Sequence, residues 1–148
     1  MKRKLPLLAI PLIAATLIFL GSCSKEGIKN PVNTEKATGK WSFNAIRMKV
    51  YYGGTFYRDS TLPWQPVVEN FIHFDGSSNV SYSFNSSEVS TGRYAMLPED
   101  RMNMKIDGED HDWKILLLTP TNFNIVRTVT NHNDFPGATV EIYHCFVR

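Results

Sequence analysis

Four histidines, two cysteines and several runs of acidic residues are the groups with which this chain of 148 residues could do side-chain chemistry. Glu109-Asp110-His111-Asp112 sets three carboxylates and an imidazole in consecutive positions, and His132-Asn133-Asp134 repeats the theme on a smaller scale. Oxygen and imidazole donors of this kind suit a divalent cation. Both runs coincide with turn-forming sequence, where Asp and Asn are favoured for backbone reasons and acidic side chains stay solvated, so no metal centre is assigned. Cys145 lies in an apolar stretch and reads as an inert buried thiol rather than a nucleophile. His144 shares a strand face with Val140, Ile142 and Phe146. If that face points inward, His144 is a polar group in an apolar interior; if Tyr143, Cys145 and Val147 point inward, it is solvated. The sequence leaves both open. No phosphate-cradling loop, G-x-S-x-G elbow, H-E-x-x-H helix or paired C-x-x-C is present, so neither catalytic residues nor a cofactor is assigned and the chain is read as a non-enzyme.

The remaining site candidates are apolar. Val80, Tyr82 and Phe84 alternate with polar residues, as do Met102, Met104 and Ile106, Trp113, Ile115 and Leu117, and Phe123 and Ile125. Such positions either fill a packed β core or line a cavity within it. Two methionines on one strand face adapt well to an irregular apolar ligand. The candidate ligand contacts are therefore Tyr82, Phe84, Met102, Met104, Trp113, Ile115 and His144. Trp64, set between Pro63 and Pro66, has three readings: a cap over a barrel mouth, an aromatic contact for a partner, or a side chain packed on the outer wall.

The elements that would position these residues are strands, because the apolar period is two almost throughout. Strands are expected at Trp41 to Tyr52, with a short return at Thr55 to Tyr57 after Gly53-Gly54, then at Val67 to Phe74 and Val80 to Phe84. Others follow at Val89 to Leu97, Met102 to Ile106, His111 to Leu118, Asn122 to Thr130 and Ala138 to Val147. Asp59 to Pro66 is expected to be a loop. Turn residues separate the strands, and no convincing amphipathic helix interrupts them. About eight strands in successive hairpins predict an all-β, antiparallel up-and-down barrel, with an open sandwich as the alternative. At eight strands a barrel holds its own side chains or one small ligand.

Composition agrees with one globular domain. Aromatic residues make up 12% and charged residues 20% of the chain, enough apolar surface to offset chain entropy. Sixteen Lys and Arg against fourteen Asp and Glu give a formal charge of +2. That near-cancelling mixture lacks the clustered cations of a nucleic-acid-binding protein, and no nucleic-acid partner is expected.

Lys2, Arg3 and Lys4 precede an uncharged run from Leu5 to Leu20, followed at once by Leu20-Gly21-Ser22-Cys23. A basic start and an apolar run slightly short for a membrane span have the design of a signal peptide. The tetrad resembles the lipobox of bacterial lipoproteins. The resemblance implies cleavage before Cys23, diacylglycerol on its thiol, and a membrane partner engaged through this lipid anchor. Ser24 stands where an inner-membrane retention signal has Asp, so the same resemblance implies the outer membrane of a Gram-negative envelope, on either its periplasmic or its outer side. With the three leader cations gone, 13 cations face 14 anions and the balance becomes −1. The expected organisation is a leader over residues 1–22, a lipid-anchored flexible tether over 23–38, and a barrel domain over 39–148.

Gly39-Lys40-Trp41 opens the first strand, Phe74-Asp75-Gly76 ends another, Gly92-Arg93-Tyr94 lies within a third, Leu118-Thr119 precedes a turn, and Phe146-Val147-Arg148 closes the chain. Together these resemble the small lipocalin-like domains of bacterial envelope lipoproteins. The resemblance implies an eight-stranded barrel with Gly39 and Trp41 at its closed end and Arg148 lying over the indole. The expected function is an envelope-tethered protein binding a small apolar or amphipathic ligand in the barrel. The alternative is a protein-interaction module, an inhibitor or accessory subunit, with a packed, ligand-free barrel and an envelope protein as partner.

Overall fold

The computed structural model describes residues 31–62 and 69–148. The expected leader, Cys23 with the first part of the tether, and Trp64 lie outside these residues. Within them, a short helix α1 (Pro31–Ala37) is followed by nine strands: β1 (Gly39–Tyr52), β2 (Thr55–Thr61), β3 (Phe71–Phe74), β4 (Asn79–Ser83), β5 (Ser90–Leu97), β6 (Arg101–Ile106), β7 (Glu109–Leu118), β8 (Asn122–His132) and β9 (Phe135–Val147). All pairings between strands are antiparallel, and β1 closes the sheet by pairing with β9 along Ser42 to Tyr51.

Nine segments make eight barrel strands because β2 and β3 share one edge of β1. β2 pairs with Arg47 to Tyr52, and β3 continues in the same direction against Gly39 to Ser42. The backbone bonds from Leu62 N–H to the Ile46 carbonyl and from Phe43 N–H to the Asn70 carbonyl mark where the wall is interrupted and resumed. The molecule is thus a closed eight-stranded antiparallel barrel, consistent with a lipocalin-like fold.

Side-chain alternation fills one end of this barrel. Trp41, Phe74, Phe123 and Phe146 are fully buried there, with Phe123 5.5 Å from Trp41 and 5.6 Å from Phe146 between ring centroids. Arg148 lies over Trp41 with its guanidinium carbon 3.7 Å from the ring centroid, a cation–π contact of about 0.5 to 2 kcal/mol. Its Nη2 also donates to the carbonyls of Lys36, Ala37 and Thr38, capping α1. Gly39 lies beside this arginine at φ +111°, a backbone conformation that excludes most side chains.

Several expectations need correction. The short return at Thr55 to Tyr57 extends to Thr61, which converts the start of the expected Asp59 to Pro66 loop into strand. The expected Val67 to Phe74 strand is confined to Phe71–Phe74 among the described residues. Of the residues expected to be flexible tether, Pro31–Ala37 form α1: proline is compatible with a first helical turn, and the helix docks by burying Ala37 completely and accepting Trp41 Nε1–H on the Ala37 carbonyl at 2.7 Å. Leu117, expected to face inward, is exposed. A bulge between Ile115 and Leu117 inserts one extra residue, so the inward face passes from Trp113 and Ile115 to Leu118. A second bulge between Phe43 and Ala45 reverses β1 in the same way, from Trp41 and Phe43 to Ile46, Met48 and Val50.

Candidate functional site

Above the aromatic end the described residues leave part of the barrel unfilled. A cavity of about 340 Å³ opens at the other end, at the lower edge of the range typical of small-molecule sites. Its walls come from six strands. Tyr82 of β4, Met104 of β6, Trp113 of β7 and His144 of β9 form an apolar to weakly polar lining. Arg127 of β8 stands on the same inward parity as Phe123 and Ile125. Ser90, Ile106, Asp107, Glu109 and His111 complete the wall and rim.

The last strand buries Ala138, Val140, Ile142, His144 and Phe146, which settles the parity of β9: His144 points inward. Its ring lies 4.6 Å from Trp113, 5.4 Å from Phe43 and 6.0 Å from Phe146 between centroids. Burial pushes its pKa down to about 3, with Arg127 adding to the effect, so the imidazole is neutral at ordinary pH. Burial likewise raises the Tyr82 hydroxyl to about 12, partly opposed by Arg127, and the phenol keeps its proton.

Arg127 and His111 form the polar upper part of the site. Arg127 Nη1 and His111 Nδ1 are 2.7 Å apart. A guanidinium has no acceptor, so Nδ1 must accept and the ring proton resides on Nε2, which faces Glu109 Oε2 at 3.3 Å. Burial, then the Arg127 charge, lowers the His111 pKa against the opposing pull of Glu109 and Asp110, consistent with that neutral tautomer. Arg127 also lies over Trp113, its guanidinium carbon 5.3 Å from the ring centroid. Two buried donors on the cavity wall, Arg127 Nε and Trp113 Nε1, have no hydrogen-bond partner among the described residues.

Of the candidate ligand contacts, the structure brings Tyr82, Met104, Trp113 and His144 together around the cavity. Met102 and Ile115 are buried in the packed core, and Phe84 is half-buried against Phe43 with centroids 5.2 Å apart. The residues weighed as cation ligands divide across the sheet. Glu109 and His111 line the cavity. Asp110 and Asp112 instead accept hydrogen bonds from Asn103 Nδ2, at 2.6 and 3.0 Å. Adjacent strand residues point to opposite faces, so four consecutive donors cannot converge on one ion. Among the described residues, no group of three or more His, Cys, Asp or Glu side chains is placed to hold a metal. Cys145 departs from the expected core position: it lies half-buried on the outer face of β9, its pKa raised by desolvation, and stays a thiol.

Arg127 was not among the candidates, and His111 and Glu109 were weighed only as cation ligands. The signal was there in the alternation: two residues beyond Phe123 and Ile125 comes Arg127, and two before Trp113 comes His111. Apolar alternation alone stops short of both.

No family model matches the chain, and no match was found among the curated proteins or the solved structures.

Proposed function

We propose that this protein is a cell-envelope lipoprotein that holds one small amphipathic molecule in the open half of its barrel. The cavity carries this reading: about 340 Å³, lined by Tyr82, Met104, Trp113 and His144, and separated from the opposite end by packed aromatic rings. A concave, partly apolar pocket with a few convergent polar groups is the usual form of a small-molecule site. The basic start, the apolar run and Leu20-Gly21-Ser22-Cys23 support a lipid anchor on Cys23, which would place the barrel beside an outer membrane.

Native mass spectrometry of the chain from residue 23 carrying Cys23→Ser is expected to detect a retained small molecule, or uptake of the neutral probe N-phenyl-1-naphthylamine. Met104→Trp, which fills the cavity, should abolish either. A wild-type protein that neither retains a molecule nor takes up the probe would refute the binding reading. Anchoring is tested separately, by incorporation of a labelled fatty acid that Cys23→Ser should eliminate.

The interaction-module reading has one observation of its own. Tyr52, Phe56 and Tyr57 are exposed on the β1–β2 hairpin, where they offer aromatic surface to an envelope protein. Crosslinking that recovers one defined partner, lost in Phe56→Ser with Tyr57→Ser, would support it.

A further inference from the structure

Arg127 is a cation set into the wall of a cavity, with no carboxylate bound to it among the described residues. Among the described residues its one hydrogen-bond partner is neutral His111, and the nearest rim acid, Glu109, is directed to the far nitrogen of that same imidazole. Burying a charge without a counter-charge is costly, and burying a donor without an acceptor costs further. Both unsatisfied groups on the wall, Arg127 Nε and Trp113 Nε1, are donors. His144 contributes no compensating charge, and Tyr82 stays a neutral phenol. The cavity therefore has a positive, donor-rich wall beside apolar surface, with acids at its rim.

We propose that the ligand of this cavity is a monoanion, a carboxylate on a short apolar body, with Arg127 as its charge partner and the body against Trp113, Met104 and Tyr82. This rests on the small-molecule reading above and narrows it to a chemical class. A guanidinium matches a carboxylate in a two-pronged geometry, and a charge-assisted bond in a partly dry site is strong enough to determine ligand choice.

Isothermal titration calorimetry on the chain from residue 23 with Cys23→Ser tests it with matched probes: octanoate against 1-octanol, and indole-3-acetate against tryptophol. A purely apolar pocket favours the alcohols, because a carboxylate must be stripped of water to enter. The acid is expected to bind more tightly than its alcohol in at least one pair, by about tenfold or more. Arg127→Met should erase that preference, bringing the ratio of acid to alcohol affinity to about one or below. Should Arg127→Met not fold, two measurements on folded protein remain. Added NaCl should weaken the acid but not the alcohol, and Glu109→Gln, which removes the competing rim charge, should tighten the acid. Alcohols that bind as well as acids in both pairs would overturn the inference while leaving the cavity a binding site. A preference that survives Arg127→Met would do the same. Failure of all four probes together with N-phenyl-1-naphthylamine would remove the binding reading itself, and the inference with it.

Discussion

Between Phe43, Trp113 and Phe146 the His144 imidazole is held among rings, and its strand neighbours Ile142 and Phe146 are buried with it. The groups that bear on its charge are Arg127, which opposes protonation, and neutral His111 and Tyr82 across the cavity. Its folded-state pKa of about 3 lies below the ordinary 6.5. Above pH 6.5 the ring is neutral in both states and contributes no pH dependence. As pH falls from 6.5 toward 3, the unfolded chain takes up a proton that the folded barrel refuses, so stability declines by about 1.4 kcal/mol per pH unit at most. His111, also depressed, acts in the same direction. Urea denaturation across pH 7.5 to 4 should therefore show a falling midpoint, and His144→Leu should flatten the profile; an unchanged slope in that variant would count against a buried neutral imidazole. The inward parity of His144 was not legible because both faces of its strand are apolar, Val140, Ile142 and Phe146 on one and Tyr143, Cys145 and Val147 on the other. Arg127 was legible, but only to a reading that follows parity regardless of side-chain type.

Among the elements, the strands were easiest to read where alternation is clean. Met102, Met104 and Ile106, or Val140 and Ile142, each bind a strict period of two to one buried face. Alternation misleads at the bulges, since one inserted residue exchanges inside and outside for everything beyond it, as at Asn44 and Leu116. Neither a lone Asn44 nor Leu116 is enough to announce a bulge. The pairing of β5 with β6 depends on a different feature, a missing side chain. A Cβ placed on Gly92 would lie 2.0 Å from the Lys105 carbonyl oxygen, a backbone atom with no freedom to retreat. Gly92→Ala is expected to push the two strands apart and cost about 1 to 3 kcal/mol, measured as a lower unfolding midpoint. Near-unchanged stability would show that β5 and β6 separate freely at this point. Because Met104 of β6 lies on the cavity wall, the same variant should also alter uptake of N-phenyl-1-naphthylamine.

At the scale of the whole molecule, the closed barrel was legible from eight alternating segments joined by turns. Its unequal filling was not. Phe123 and Trp113 look alike in sequence as apolar residues on inward parity, yet one lies among Trp41, Phe74 and Phe146 and the other on the cavity wall. Which of them meets a ring across the barrel depends on register between strands distant in sequence, such as Phe43 and Tyr82 at 5.6 Å. The interrupted strand escaped detection for a related reason. β2 and β3 are one wall position only because both pair with β1, a relation that no local pattern encodes.

That unequal filling should give the barrel two ends of different compressibility. Hydrostatic pressure favours states in which internal voids are hydrated, and the effect scales with the void eliminated. The cavity inside the barrel lies beside Trp113, whereas the Trp41 ring is fully buried between Phe123 and the Arg148 guanidinium. Under increasing pressure the indole N–H resonance of Trp113 should shift and broaden well before that of Trp41. An occupant of the cavity should bring the two responses together. Pressure-resolved spectra would then report occupancy of the barrel from within, whatever the occupant is.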